Sequence, residues 1–232
     1  KRQSFFSNVM ESLRVNLERL LKKTTLPEKA GLSRREIKFQ FPLTFDMIFG
    51  EEGRGYAAFI KGDGDNFGLL RSFASSITDY RRISSVLRSA IYESIGAGLA
   101  SVVLHRLRDA LSRGEDVGES LYLPFDLVYI GGDDFLLIMD ARYVFVFLKE
   151  FRSKLTSLLG RASKRYEKAA RELPLSVIPL GVSMGIAIAP VKSPLDLALG
   201  VAGDLLAKAK HLSKIRRRDL PFGAEIFVAL MR

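Results

Sequence analysis

The feature that most limits how this chain can fold is a pair of apolar runs, Phe125-Asp126-Leu127-Val128-Tyr129-Ile130 and Phe135-Leu136-Leu137-Ile138-Met139, separated by only Gly131-Gly132-Asp133-Asp134. Together they read as a strand, a tight turn and a returning strand, with the glycines supplying the backbone freedom that the turn demands. A second segment is built alike. Tyr56-Ala57-Ala58-Phe59-Ile60 is an apolar strand that runs into Lys61-Gly62-Asp63-Gly64-Asp65-Asn66-Phe67-Gly68, again acidic and glycine-rich.

Strand and helix patterns alternate around these two turns. Leu69 to Arg113 has a helical pattern, expected as two helices broken near Gly96-Ala97-Gly98. Residues 142 to 171 predict a long basic helix, Leu180 to Ala189 a strand, Leu195 to Leu212 a helix and Ala224 to Leu230 a last strand. Upstream, Phe5, Phe6, Val9, Leu13, Leu17, Leu20 and Leu21 recur at three- and four-residue steps, which predicts an amphipathic helix over 4–23 that packs on, or links to, something N-terminal. Thr24 to Arg35 reads as a polar connector, and Phe39, Phe41, Leu43 and Phe45 alternate over a short strand-like segment ending in Gly50-Glu51-Glu52-Gly53.

This order predicts an α/β (α+β) chain: a ferredoxin-like βαββαβ palm with an extra helix and strand, its sheet mainly antiparallel, preceded by an N-terminal helix. Residues 1–54 form the helix and connector, and 55–232 the palm. In that topology the first strand lies beside the hairpin, so its end and the hairpin turn meet at one edge of the sheet. Asp63 and Asp65 share a face if the strand reaches residue 65, because side chains alternate with period two. With Asp133 and Asp134 they place four carboxylates together, and a pair of hard divalent cations held by oxygen is the usual relief of such crowding.

Composition narrows the chemistry. The 232 residues contain no cysteine and two histidines, His105 and His211, so disulfides, thiol nucleophiles and cysteine metal clusters are excluded and any metal is held by oxygen. His105 reads as structural. The net charge of +10 is unevenly spread: residues 1–38 carry +6, 39–148 carry −5, 149–207 carry +4 and 208–232 carry +5. An acidic centre in a basic envelope suits a nucleotide with its metal better than a plain duplex surface. Two look-alikes fail. An EF-hand loop from Asp63 needs glutamate where Ala74 stands, and a dinucleotide fingerprint from Gly62 needs glycine where Phe67 stands.

Tyr129-Ile130-Gly131-Gly132-Asp133-Asp134-Phe135, preceded by Phe59 to Gly68, resembles the catalytic Palm domain of the large subunit of type III CRISPR effector complexes, within the wider superfamily of GGDEF-type nucleotide cyclases and palm polymerases. Gly181-Val182-Ser183-Met184-Gly185-Ile186-Ala187-Ile188-Ala189 is similar to the family's third motif strand, and Pro194 through Lys210 to its helix ending in Ala-Lys. Diguanylate cyclases fit less well. They usually carry arginine where Tyr129 stands and glutamate where Asp134 stands, and their inhibitory Arg-x-x-Asp has no counterpart at Leu123 and Asp126. No nuclease His-Asp pair, zinc site or first Palm accompanies the motifs, so the resemblance covers one domain, over roughly residues 55 to 230.

The resemblance implies that Asp63, Asp133 and Asp134 are catalytic and hold two Mg²⁺ or Mn²⁺ ions together with Asp65. It implies that Asn66, Phe67, Gly68, Gly131 and Gly132 approach the nucleotide, that Lys210 takes the β/γ-phosphates and that Ser183 lines the purine pocket. The implied reaction joins ATP molecules, the 3′-hydroxyl of one attacking the α-phosphate of another, into linear or cyclic oligoadenylate in antiviral defence. A catalytically silent nucleotide-binding or scaffolding palm and a diguanylate cyclase-like enzyme are the alternatives. Expected partners are the other subunits of an RNA-guided effector and, through the basic runs Arg161 to Arg171 and Lys208 to Arg218, RNA. The chain opens Lys1-Arg2-Gln3-Ser4 with no signal-like segment, as in an excised piece of a longer protein, and Leu173 to Val191 is uncharged but broken by three prolines. A soluble, cytoplasmic protein without membrane contact is expected.

Overall fold

The computed structural model describes residues 2–23, 39–49, 55–72, 74–115, 117, 121–169, 180–216 and 222–231. Its elements are α1 (Arg2–Lys22), β1 (Phe39–Gln40), α2 (Phe45–Phe49), β2 (Tyr56–Asp65), α3 (Phe67–Ser72), α4 (Ile77–Ser112), β3 (Leu121–Tyr122), β4 (Phe125–Gly131), β5 (Asp134–Asp140), α5 (Val144–Ala169), β6 (Leu180–Pro190), α6 (Leu195–Arg216) and β7 (Phe222–Leu230). Five strands form one sheet in the order β4-β5-β2-β6-β7. β2 runs antiparallel to both β5 and β6, and β7 lies parallel to β6. This is the expected ferredoxin-like palm with its added helix and strand.

Helices cover both faces of the sheet, and that explains why β2 is apolar without interruption. On one face Ala58 and Ile60 meet Ile91, Ile95 and Leu99 of α4 and Phe147 and Phe151 of α5 in the larger core. On the other, Ala57 and Phe59 meet Ile48 and Phe49 of α2 and Ala198 and Ala202 of α6. A fully buried Phe or Ile side chain contributes about 1.5–3 kcal/mol, so Phe59 and Ile60 anchor the middle of β2 from its two faces. Its acidic end projects from that anchor.

Two expectations are corrected. α4 is one continuous helix of 36 residues, starting at the cap Ser76, whose hydroxyl accepts from the Asp79 amide at 3.1 Å. It does not break at Gly96-Ala97-Gly98. Those glycines serve close packing: a Cβ at Gly96 would lie 2.8 Å from the Leu13 amide of α1, and one at Gly98 would lie 2.6 Å from the Phe147 ring of α5. α1 lies against α4 there and joins the larger core through Val9 and Leu13. The alternation from Phe39 to Phe45 yields only two strand residues, paired with β3, before α2 begins, because Phe45 and Phe49 pack on the α6 face of the sheet. The connector from Thr24 to Arg35, the turn at residues 50–53 and the stretch 173–179 lie outside the described residues.

Candidate active site

β2 continues to Asp65, with Asp63 opposite Ser183 and Asp65 opposite Gly181 on β6. Its pairing with β5 stops earlier, at Gly62 opposite Phe135, so the last three residues of β2 stand beside the hairpin turn instead of in its ladder. The turn closes over them. A Cβ on Gly64 would lie 2.8 Å from the Asp133 Cβ, so glycine is what allows the two acidic segments to meet. Gly132 takes φ +77°, at the first central position of the turn, where two-residue hairpins of the II′ kind take glycine.

Three of the four carboxylates are gathered there, and cations hold two of them. Lys210 of α6 forms an ion pair with Asp63. Arg71 of α3 places Nη2 3.2 Å from Asp133 Oδ1, each side chain 25% exposed. Asp134 shares a hydrogen bond with Asp63. Its carboxyl is pushed up to about 6 by partial burial, then by that hydrogen bond and by the charges of Asp63 and Asp133, against the opposing pull of Lys210. These hard oxygen donors fit a Mg²⁺ or Mn²⁺ ion. As arranged, no group of three or more His, Asp or Glu side chains among the described residues is set to chelate one. The two ion pairs set positive charge against Asp63 and Asp133.

Asp65 is placed differently. It is 6% exposed, the Ser183 hydroxyl lies 2.9 and 2.8 Å from its two oxygens, and Ser213 Oγ lies 3.5 Å from Oδ1. Ser183, expected along a purine pocket, is fully buried and spent on Asp65. The expected cluster of four carboxylates is therefore a cluster of three, with Asp65 in an adjoining serine-lined pocket.

The supports of the site come from tertiary packing. Asn66 ends β2 in the left-handed region at φ +58°, and its carbonyl accepts from the Leu70 amide at 2.9 Å, which starts α3. Phe67 points into the core, 1% exposed, so its ring is structural; Gly68 faces open space. Gly131 is lined by the Tyr129 side chain. The Tyr92 hydroxyl of α4 lies at the Gly132 backbone, and burial raises its pKa. α6 seats its own backbone on Gly185 of β6, where any Cβ would strike Ala202 and Leu206. That contact carries Lys210 and Ser213 to β2. Arg71, Tyr92 and Ser213 escape a reading of the sequence; the one local signal is that Arg71 follows Phe67 by one helical turn, which puts it on α3 beside the acidic segment. Of the two basic runs, Lys208, His211 and Lys214 are exposed on α6, while the side chains of 162–171 and 215–218 lie outside the described residues.

A family model described as Cas10/Cmr2, second palm domain, matches residues 56–219. The chain belongs to this family. It is thus a palm domain of a type III CRISPR effector subunit, as the two acidic turns implied. Among solved structures, an apo Csm1-Csm4 cassette shares 20% identity at a TM-score of 0.48, covering 68% of this chain and 19% of that one. A Csm1-Csm4 cassette in complex with cA4 shares 19% at 0.49, covering 72% and 21%. An EAL/GGDEF domain protein from M. capsulatus shares 17% at 0.36, covering 78% and 92%. The palm spans about a fifth of the Csm1-Csm4 chains it matches. No curated protein matches it.

Proposed function

We propose that this palm is a nucleotidyltransferase that converts ATP into oligoadenylate, within an RNA-guided effector complex in the cytoplasm. The observation that carries the reading is the meeting of Asp63 with Asp133 and Asp134 at the end of an anchored strand, with Lys210 beside them. In the reaction the 3′-oxygen of one ATP forms a bond to the α-phosphorus of another, the bond from that phosphorus to the bridging oxygen breaks, pyrophosphate leaves and the hydroxyl proton passes to solvent. Bound Mg²⁺ or Mn²⁺ would lower the hydroxyl pKa and neutralise charge developing on the phosphorane. Asp63, Asp133 and Asp134 would hold the ions. Lys210, released from Asp63, would take the β/γ-phosphates as a point charge, and the backbone of Asn66 to Gly68 and of Gly131-Gly132 would line the nucleotide.

The test is product formation from ATP with Mg²⁺ or Mn²⁺, by the chain alone and assembled with its effector subunits. Asp133→Ala with Asp134→Ala abolishes the product; undiminished product from that variant sinks the assignment. The ion pairs on Asp63 and Asp133 favour one competing reading, a silent nucleotide-binding palm. That reading predicts metal-dependent ATP binding by calorimetry with no product even in the assembled effector.

A further inference from the structure

Two cations hold the carboxylates, and they are not equivalent. Lys210 is a point charge on a flexible stem. Arg71 is a planar fork whose root is fixed, because α3 is anchored by Phe67 and Leu70, 1% and 3% exposed. Its Nη2 reaches Asp133. Its Nε, on the same edge of the guanidinium, is buried and has no hydrogen-bond partner among the described residues. That edge is the one with which arginine grips two oxygens of an oxyanion in parallel, and Asp133 fills half of it. A buried charged donor without a partner is costly, so the site gains by offering Arg71 a second oxygen.

We propose that Arg71 exchanges Asp133 for a phosphate of the incoming nucleoside triphosphate, and that the exchange frees Asp133 for the divalent cation. This rests on the nucleotidyltransferase reading and assigns Arg71 a role in it. Before nucleotide arrives, Arg71 competes with metal for Asp133. Once nucleotide is bound, Nε and Nη2 hold two phosphate oxygens, and Asp133 turns to the ion. Arg71 therefore weakens metal binding in the empty site and strengthens nucleotide binding in the filled one. An arginine that only supported the fold would move both in the same direction.

The experiment measures Mn²⁺ affinity by electron paramagnetic resonance without nucleotide. Alongside it, calorimetry with Mn²⁺ compares adenosine with an ATP analogue bridged by methylene between its α- and β-phosphates, all on the 232-residue chain. Arg71→Gln is expected to bind Mn²⁺ several-fold more tightly and the analogue about tenfold more weakly, with adenosine unchanged. Arg71→Lys keeps the charge without the fork, so it loses analogue affinity with a smaller gain for Mn²⁺. Should Arg71→Gln fail to fold in a thermal melt, Arg71→Lys carries the same two measurements. If wild type binds both ligands and the variant's Mn²⁺ affinity falls or stays level, or its analogue affinity stays level, the exchange is overturned and the nucleotide site stands. If wild type binds neither, the nucleotide site falls as well.

Discussion

Asp63 and Asp65 sit two residues apart on one face of the same strand, yet their surroundings have little in common. Asp63 is partly exposed, paired with Lys210 and hydrogen-bonded to Asp134. Asp65 is buried and accepts from the Ser183 hydroxyl, with Ser213 Oγ 3.5 Å away. Period two decides which way a side chain points. What it does there is decided by the residues that β6 and α6 bring to it. Neutral hydroxyls hold a carboxylate in place, whereas a lysine and a second carboxylate leave one ready to trade partners.

The sharpest break of this contrast comes from replacing the two aspartates separately. Asp63→Asn is expected to lower oligoadenylate synthesis by roughly 100-fold or more, as loss of a metal ligand does, with the melting temperature nearly unchanged. Asp65→Ala leaves the buried Ser183 hydroxyl without its acceptor, whereas Ser213 keeps the Lys210 carbonyl at 2.9 Å; the change costs about 1–3 kcal/mol, about 2–4 °C per kcal/mol in a domain of this size, while synthesis follows the folded fraction. Product chromatography beside thermal unfolding reads both, and equal behaviour of the two variants would erase the distinction. Gly185→Val attacks the shared support. It drives α6 off β6, costs about 1–3 kcal/mol and is expected to combine both deficits in one protein.

The smallest effect concerns pH. Asp134 sits at about 6 in the folded chain, above its ordinary value, so the native state binds more protons than the unfolded one between about pH 4 and pH 6. The Asp134 contribution to stability without metal is therefore fully present below that window and is lost as pH rises through it. Asp134→Asn is expected to flatten the decline in urea midpoints taken with a chelator across pH 4 to 8. An Asp134→Asn curve with the same slope as wild type through the window would contradict the crowding of Asp63, Asp133 and Asp134.

The strand order and the meeting of the two acidic turns were legible because they follow from short-range chemistry: a glycine-rich break between apolar runs, and acids placed just past a strand. Gly96 and Gly98 misled for a matching reason. Glycine marks a place where the backbone needs freedom or where something needs room, and only the packing of α1 and Phe147 shows that room was the need. Arg71, Tyr92 and Ser213 reach the site from α3, α4 and α6, and no spacing along the chain announces them. Ser183 had a visible motif but a partner, Asp65, 118 residues away.

The seating of α6 on Gly185 also sets a gauge. Along one helix face Gly203 lies at Lys61, Lys210 at Asp63 and Ser213 at Asp65. Ten helical residues at about 1.5 Å each run beside four strand residues at about 3.3 Å each, so the two rulers nearly agree over that span. The outward face of α6 can change its lettering freely, but its length between residues 203 and 213 cannot change. One inserted residue would turn everything beyond it by about 100° and carry the lysine and the serine off their marks together.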